Sequence, residues 1–480
     1  MTEKDAPASA VRARLGALLS RHPRGWAIAA GSLVVALLAG GALTAGAASA
    51  RPEATHAAVR AAATPTPTAT ARPTPAAAPA ASKVRTCLVG DRATDPRLAQ
   101  MQAQVRNATT GEVLFDRGGG TPNRAASVMK VLTSAAALKV LGPDYRATTT
   151  VVKGAEPGSV VLVGGGDLTL SRLPTGQDSA YDGVAHLDDL ARQVRTAWDA
   201  DPSNPPLTTL ILDSSYFGGP EWQPSWNTKE QGDGYMPHIA ALEVDGDRDS
   251  PARSTSPRSD DPVGRAGDAF ADALGGIQSI SRGTAPSGAS QLASVQSPTV
   301  SSLIQQALIV SDNTIAEMLA RLTAIKAGTG NSFDAIQPAV LDALKSYGID
   351  TSGIRVVDGS GLSDDNAIPP SYLTSLFVKI NAKEGDLGVI FDGLPVSGKS
   401  GSLGYSDRFT GDADVAIGSV FAKTGWIDTG YTLSGIIHSA DGTPLTFAIY
   451  ALGDVDEDAK QAIDLLAAAF YSCGDNLSNG

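Results

Sequence analysis

The sequence predicts an α/β fold of the α+β type, in which helices flank an antiparallel sheet and a second domain is inserted into the chain. Short alternating apolar segments near both ends of the globular part are typical of strands, and the segments between them show helical periodicity. Residues 150–290 carry strand and helix patterns of their own. A chain of 480 residues has room for two or three domains.

The composition excludes several functional classes. The formal net charge is −12, and no basic stretch is interleaved with aromatic residues, so we expect no nucleic acid partner. The five histidines are scattered and the two cysteines lie far apart, so the sequence offers no ligand cluster for a metal. We therefore expect neither a metal ion nor another cofactor.

The N-terminal part divides into three segments. Residues 1–25 form a basic leader, residues 26–50 an uncharged run long enough to span a bilayer, and residues 51–83 a Pro/Thr/Ala-rich linker. Because the arginines precede the apolar run, the leader should lie in the cytoplasm and the rest of the chain outside it. The linker cannot bury a core and should be an extended spacer.

The apolar run has two interpretations that place it at the membrane, and a buried helix of a soluble protein is a third, less favoured one. Its length favours a transmembrane anchor in the cytoplasmic membrane, whereas Ala48-Ser49-Ala50 resembles the small-residue cleavage site of a signal peptide. Both predict an extracytoplasmic protein of the cell envelope, either membrane-anchored or secreted.

The two cysteines support this location. Cys87 begins the globular part and Cys473 nearly ends it, and an even number of cysteines outside the cytoplasm predicts a disulfide. Two buried free thiols are the alternative. A disulfide closing so long a loop would stabilise the fold by about 5 kcal/mol in the chain-entropy model.

The main domain is predicted from residues 84–149 and 291–480. In its first part, residues 101–106 and 111–117 read as a hairpin, and apolar spacing after Ser127 predicts a helix that stops at Gly142.

Residues 150–290 are predicted to be the inserted domain. Strands are indicated at 148–153, 159–163 and 208–213, and helices at 186–200 and 264–274. The tryptophans near residue 222 are interpreted as packing residues, with stacking on a ligand as the alternative.

The remainder of the main domain is helical and then β-rich. Helices are predicted at 298–310, 311–321, 333–347 and 456–471, with Ser311-Asp-Asn313 at the first connection between them and a polar loop at 358–366. Strands are predicted at 417–426, 432–438 and 445–452.

Ser127 and Lys130 form a candidate nucleophile and base. A separation of three residues at a helix start places both side chains on one face, where the helix dipole favours negative charge. To act as a base at neutral pH, the lysine must lower its pKa by roughly three units from its reference value, which is about 4 kcal/mol. Because the dipole supplies at most about 2 kcal/mol, burial or a second cation is required. An ordinary amphipathic helix with a serine near its start is the alternative.

Three short motifs occur in order: Ser127-x-x-Lys130, Ser311-x-Asn313 and Lys423-Thr424-Gly425. Together they resemble the signature of penicillin-binding proteins and serine β-lactamases, which implies a β-lactamase/transpeptidase-like fold. The 184 residues from Ser127 to Ser311 (311 minus 127) exceed the spacing of a compact β-lactamase.

The long spacing and two further segments narrow the resemblance. With Asp358-Gly-Ser-Gly-Leu-Ser363 and Leu394-Pro-Val-Ser-Gly398, residues 95–470 are similar to the low-molecular-mass class C penicillin-binding proteins, the DacB-type D-alanyl-D-alanine carboxypeptidases/endopeptidases. The resemblance implies peptidoglycan stem peptides as substrates, an acyl-enzyme on a serine, and covalent inhibition by β-lactam antibiotics.

The resemblance also implies residue roles. Ser127 would be the nucleophile, Lys130 its base and Ser311 a proton relay. Substrate would be held by Asn313, Lys423, Thr424 and the backbone at Gly425, and the oxyanion by the backbone N–H groups of Ser127 and Trp426.

Two segments repeat parts of the signature, and one position departs from it. Ser397-Gly-Lys399-Ser-Gly401 also fits the third motif, but it lacks a preceding strand, so we prefer Lys423; Ser225-Trp-Asn227 repeats the second motif in an aromatic-rich loop.

Relatives usually carry Thr or Ser at or near the position of Trp426, where a hydroxyl helps to hold a terminal carboxylate. The indole therefore predicts a preference for endopeptidase cleavage or weak activity.

Two rival functions remain at the level of sequence. One is a catalytically weak penicillin-binding or wall-binding protein on the same fold. The other is a serine β-lactamase or esterase, which would need a deacylation device that the sequence does not reveal.

Overall fold

The computed structural model describes residues 83–479, and the predictions for the leader, the apolar run and the linker up to residue 82 lie outside this range. Within it, no helix is both long and apolar enough to cross a membrane. The strands are β1 (Gln100–Asn107), β2 (Val113–Arg117), β3 (Thr148–Lys153), β4 (Ser159–Val163), β5 (Thr209–Asp213), β6 (Ser279–Arg282), β7 (Gln291–Gln296), β8 (Val420–Ile427), β9 (Gly430–His438) and β10 (Pro444–Leu452).

The helices vary from single turns to four turns. They are α1 (Gly90–Ala93), α2 (Met129–Val140), α3 (Leu187–Asp199), α4 (Lys229–Gly232), α5 (Pro262–Leu274), α6 (Val300–Ile309), α7 (Asn313–Ala327), α8 (Ile336–Lys345), α9 (Pro370–Asn381), α10 (Gly388–Gly393) and α11 (Asp458–Cys473).

The main sheet has five antiparallel strands in the order β2-β1-β10-β9-β8. Side chains alternate between its two faces, as the pleat requires. On β10, Phe447 and Ile449 pack in one core cluster with α11, whereas Ala448 and Tyr450 pack in another with α2 and α7. Helices therefore cover both faces, which confirms the predicted architecture of an antiparallel sheet flanked by helices.

The second sheet is mixed, with the order β6-β5-β4-β3-β7. Strands β4, β5 and β6 are parallel, while β3 is antiparallel to β4 and β7. Apolar residues of α3 and α5 form a core with this sheet. The sheet runs from residue 148 to residue 296, so it extends a few residues beyond the predicted insert limits of 150 and 290; the division into domains stays a prediction.

A disulfide joins the two ends of the described range. Cys87 and Cys473 are bonded, with their Cα atoms 5.5 Å apart. Backbone hydrogen bonds from Cys87 N to Asn476 O (3.1 Å) and from Ser478 N to Cys87 O (2.9 Å) continue the contact. The prediction of a disulfide is confirmed, and the free-thiol alternative is wrong.

The aromatic residues near Trp222 contribute packing. The rings of Trp222 and Trp226 meet edge to face with centroids 5.2 Å apart, and Trp226 meets Phe333 in the same way at 5.3 Å. Trp226 also donates a hydrogen bond to Asp358 (2.8 Å), so it fixes the polar loop that the sequence predicts at 358–366.

Candidate active site

Ser127 lies in a 3₁₀ turn, Ala126–Val128, that leads directly into α2. Ala126 has φ 46°, a left-handed conformation that costs a non-glycine residue energy and occurs mainly where surrounding structure enforces it. Gly361 packs so closely that a Cβ there would overlap the Ala126 carbonyl. The candidate nucleophile is therefore held in a constrained turn.

Lys130 contacts Ser127 as the spacing predicts. Its Nζ donates hydrogen bonds to Ser127 Oγ (2.8 Å), Asn313 Oδ1 (2.6 Å) and the Ser360 carbonyl (2.8 Å). These three acceptors match the three donors of an ammonium group. The lysine thereby joins the first motif, the second motif and the 358–366 loop.

Burial lowers the pKa of Lys130 to about 8. The side chain is 1% exposed, and loss of water disfavours its charged form. Four carboxylates oppose this effect and raise the pKa, in decreasing order Asp312, Asp358, Glu317 and Glu230. With a pKa of about 8, roughly a tenth of Lys130 is neutral at pH 7, and this fraction can act as a general base.

The second and third motifs meet at Lys423. This residue is fully buried on β8, an edge strand, and its Nζ donates to Ser311 Oγ and to the Thr424 carbonyl, both at 2.8 Å. Ser311 lies between α6 and α7 with φ 62°. Burial, and then the charge of Lys130, lowers the pKa of Lys423 well below its usual range. A second lysine therefore lies in the site, while the pKa of Lys130 is lowered by its own burial.

Strand β8 approaches the turn that carries Ser127, the candidate nucleophile. A Cβ on Gly425 would overlap Thr432 Oγ1 and the Ala125 carbonyl, which are themselves hydrogen-bonded at 2.7 Å. Only glycine fits this close approach. Trp426 follows, with its side chain at the rim of the cleft beside Tyr431 and 49% exposed.

These residues surround one cleft of about 490 Å³. Six of the predicted site residues line it, while Lys130 and Lys423 lie buried beneath: Ser127, Ser311, Asn313, Thr424, Gly425 and Trp426. The sequence analysis did not single out several other lining residues, among them Glu230, Tyr235, Ser402, Tyr405 and Asp428.

Glu317 is a buried residue that positions the 358–366 loop, and the sequence analysis did not identify it. It lies on α7 one turn after Asn313, and its carboxylate accepts hydrogen bonds from Gly359 N (3.0 Å) and Ser360 N (2.7 Å). The contact fixes the Ser360 carbonyl that accepts from Lys130. Burial, and then the nearby Asp358, raises the pKa of Glu317 to about 8. The i, i+4 spacing from Asn313 was the available sequence signal.

The two repeated motifs have structural roles. Ser397 is fully buried and donates to the Ala416 carbonyl at 2.7 Å, so it fastens a loop beside β8. Ser225 shares a hydrogen bond with Ser363 at 2.7 Å, next to the Trp226 contact with the 358–366 loop. The structure brings Lys423, not Lys399, to Ser311.

Arg248 reaches the second motif from the segment that follows β5 of the second sheet. Its Nη2 pairs with Asp312 Oδ2 at 2.8 Å, and its guanidinium stacks on the Tyr181 ring at 4.5 Å. Asp312 in turn accepts from Ile315 N at 2.9 Å and caps α7. Burial alone would raise the pKa of Asp312. The pKa is nevertheless lowered, because Arg248 and the hydrogen bond from Ile315 N favour the charged carboxylate.

Replacing Arg248 with leucine is expected to lower the free energy of unfolding by about 3–5 kcal/mol, because the buried carboxylate of Asp312 loses its partner. Urea denaturation monitored by tryptophan fluorescence measures the loss. The double variant Arg248→Leu/Asp312→Asn removes the uncompensated charge and should recover part of it. An unchanged midpoint for Arg248→Leu would contradict this account.

The comparisons with known proteins agree with one another. The profile of the D-Ala-D-Ala carboxypeptidase 3 (S13) family matches residues 87–252 and 243–470. The carboxypeptidase DacB of Mycolicibacterium smegmatis is 39% identical over 390 residues, which are 79% of this chain and 82% of that protein. A D-alanyl-D-alanine carboxypeptidase of Actinomadura sp. is 27% identical over 431 residues, with 72% and 76% of the two chains covered.

A solved structure gives the same fold. Penicillin binding protein 4 (dacB) of Haemophilus influenzae superposes with a TM-score of 0.64 at 19% identity, covering 77% of this chain and 95% of that one. A second structure of that protein, complexed with a β-lactam, gives a TM-score of 0.59.

Proposed function

The chain belongs to the D-Ala-D-Ala carboxypeptidase 3 (S13) family, and we propose that it hydrolyses peptidoglycan stem peptides between two D-alanines through an acyl-enzyme on Ser127. The observation that carries the proposal at residue level is the 2.8 Å hydrogen bond between Ser127 Oγ and the buried Nζ of Lys130. A nucleophile in contact with a lysine whose pKa is lowered is the arrangement that serine acylation requires.

Acylation follows from this geometry. Neutral Lys130 removes the proton as Ser127 Oγ attacks the carbonyl of the penultimate D-alanine, and the backbone N–H groups of Ser127 and Trp426 stabilise the oxyanion. Collapse expels the terminal D-alanine, whose amine receives a proton through the hydroxyl of Ser311, the group that Lys423 contacts. Water then hydrolyses the ester and regenerates Ser127.

Substrate binding uses the two walls of the cleft. Asn313 holds the substrate amide; its Oδ1 accepts from Lys130 and its Nδ2 donates to the Tyr235 carbonyl at 3.2 Å, so its orientation is fixed. Thr424 and Lys423 bind the terminal carboxylate of the substrate; the bound carboxylate favours the charged form of Lys423, whose pKa is lowered by burial in the free site. A β-lactam carries both an acylating carbonyl and a carboxylate, and is a covalent inhibitor by the same contacts.

Peptidoglycan lies outside the cytoplasmic membrane, so the reaction requires export of the domain. We propose that residues 26–50 direct this export and either remain as an anchor or are cleaved. N-terminal sequencing of the mature protein from washed membranes distinguishes the two forms.

The test is intact-mass analysis of the full chain, purified in mild detergent and incubated with benzylpenicillin, with peptide mapping of the adduct. One adduct on Ser127, together with release of D-alanine from a stem pentapeptide, is expected. A folded protein that acquires no adduct would favour a non-catalytic wall-binding protein. An adduct that decays within seconds would favour a β-lactamase.

The pH dependence of acylation should report Lys130. With an acylating thioester that carries no carboxylate, the second-order rate constant is expected to rise about tenfold per pH unit below pH 8 and to level off above it, because only neutral Lys130 accepts the proton. Stopped-flow measurement of thiol release, corrected for uncatalysed hydrolysis, gives the profile. A rate that falls as the pH rises from 6 to 8 would exclude this base.

A further inference from the structure

Ser402 lies in the cleft next to the strand that is expected to bind the substrate carboxylate. Its Oγ is 2.7 Å from Thr424 Oγ1, and the two residues line the same wall. The hydroxyl pair lies beside the backbone of Thr424, whose carbonyl accepts from Lys423. Two hydroxyls and a buried lysine therefore meet where β8 faces the cleft.

The loop that carries Ser402 is held firmly. Gly401 has φ 55°, and a Cβ there would overlap the Ile309 carbonyl at the end of α6. Leu403 is fully buried on the other side, and its carbonyl accepts from Gly398 N at 2.8 Å. Because both neighbours are fixed, the position of the Ser402 hydroxyl is fixed by the fold and not by the chance conformation of a surface loop.

The hydroxyl of Ser402 supplies a hydrogen-bond donor that β8 lacks at position 426. Residues 424 and 426 are two apart on a strand and point to the same side, but residue 426 is tryptophan and can offer no hydroxyl there. A carboxylate has two oxygens with about four acceptor sites, so it is better satisfied by two hydroxyl donors than by one. In the free site the two hydroxyls bond to each other, and either can rotate to donate to an anion.

We propose that Ser402 is a specificity-determining residue that donates a hydrogen bond to the C-terminal carboxylate of the substrate, in partnership with Thr424. This inference rests on the proposed function and assigns to Ser402 the second hydroxyl that Trp426 cannot supply. It makes a free terminal carboxylate a preferred feature of the substrate, in contrast to the expectation drawn from Trp426 alone.

The test compares an acyl-D-Ala-D-Ala peptide with the same peptide amidated at its C-terminus. In Ser402→Ala, kcat/KM for the free acid should fall at least about tenfold, mainly through KM, because a hydrogen bond to a charged group is lost. The amide should change less than about twofold. Ser402→Thr should retain the discrimination, and Ser402→Cys, with a weak donor of similar size, should lose most of it.

Ser400→Ala is the matched control, since Ser400 lies in the same loop and its Oγ accepts from Val396 N at 3.2 Å. The Ser400→Ala variant measures how a loss of loop rigidity by itself changes kcat/KM for the two peptides. Equal losses on the acid and the amide, or equal effects in the Ser400 and Ser402 variants, would overturn the inference and leave Ser402 a structural role. Unchanged kinetics in Ser402→Ala would also overturn it.

The design separates this inference from the proposed function. Mass analysis after treatment with a carboxylate-free acylating thioester reports Ser127 independently of Ser402. If wild-type protein forms that adduct and the Ser402 variants show no selective loss, only the inference fails. If wild-type protein forms no adduct and cleaves neither peptide, both fail together.

Discussion

Replacing Ser127 with alanine is expected to abolish covalent labelling by benzylpenicillin and to reduce D-alanine release from a stem pentapeptide to the uncatalysed level. The substitution removes the single oxygen that Lys130 contacts in the first motif, and none of the hydrogen bonds that position Lys130 on Asn313 and Ser360 depends on it. The fold should therefore survive while the reaction is lost.

Intact-mass analysis after a long incubation checks this result, because it detects even slow acylation. Ser406→Ala, a substitution at an exposed position in the loop after Ser402, is the control for handling and should label as wild type does. An adduct of penicillin on the Ser127→Ala protein would show that another nucleophile reacts and would remove the basis of the proposed function.

Much of the site could be predicted because its signals are local. The separation of Ser127 and Lys130 puts them on one face of a helix start, and the structure joins them at 2.8 Å. The apolar runs of β9 and β10 and the periodicity of α11 likewise indicated the main sheet and the helix that covers it, and the rings of Phe115 and Phe470 meet across that core at 5.4 Å.

Other elements were not predicted, and only some of them lacked a signal in the sequence. The side chains of β6 are all exposed, so this edge strand has no apolar alternation to detect. Helix α9 did carry a helical apolar pattern, with Leu373, Leu376, Phe377 and Ile380 buried, and the sequence analysis did not assign it. The predicted insert limits of 150 and 290 fell inside β3 and immediately before β7, although turn residues flank both strands.

Residues that contact the motif residues differ in whether the sequence alone could identify them. Glu317 follows Asn313 by one helical turn and could have been found by spacing alone. Arg248 and Ser402 could not, because 64 and 22 residues separate them from their partners Asp312 and Thr424, and only the folded chain brings them together. Ser402 also follows directly after Ser397-Gly-Lys399-Ser-Gly401, the segment that resembles the third motif and was set aside in favour of Lys423.

Replacing Lys130 with methionine is expected to slow acylation of Ser127 at least about a thousandfold, because the site then lacks a base in contact with the nucleophile. The acylation rate constant for benzylpenicillin, measured by time-resolved intact mass, reports the loss. Methionine suits a buried position and removes a charge that burial disfavours, so severe unfolding is not the expected cause.

Lys130→Arg separates the two properties that lysine brings to the site. Arginine keeps the positive charge near Asn313 and Ser360, but its pKa is above about 12 and it cannot lose its proton at neutral pH. If Lys130 acts as the base, arginine should be as damaging as methionine, and the rise of the rate towards pH 8 should vanish in both variants. If arginine instead restores most of the rate, the lysine serves as a fixed charge, and the lowered pKa that burial imposes on it would have no part in the chemistry.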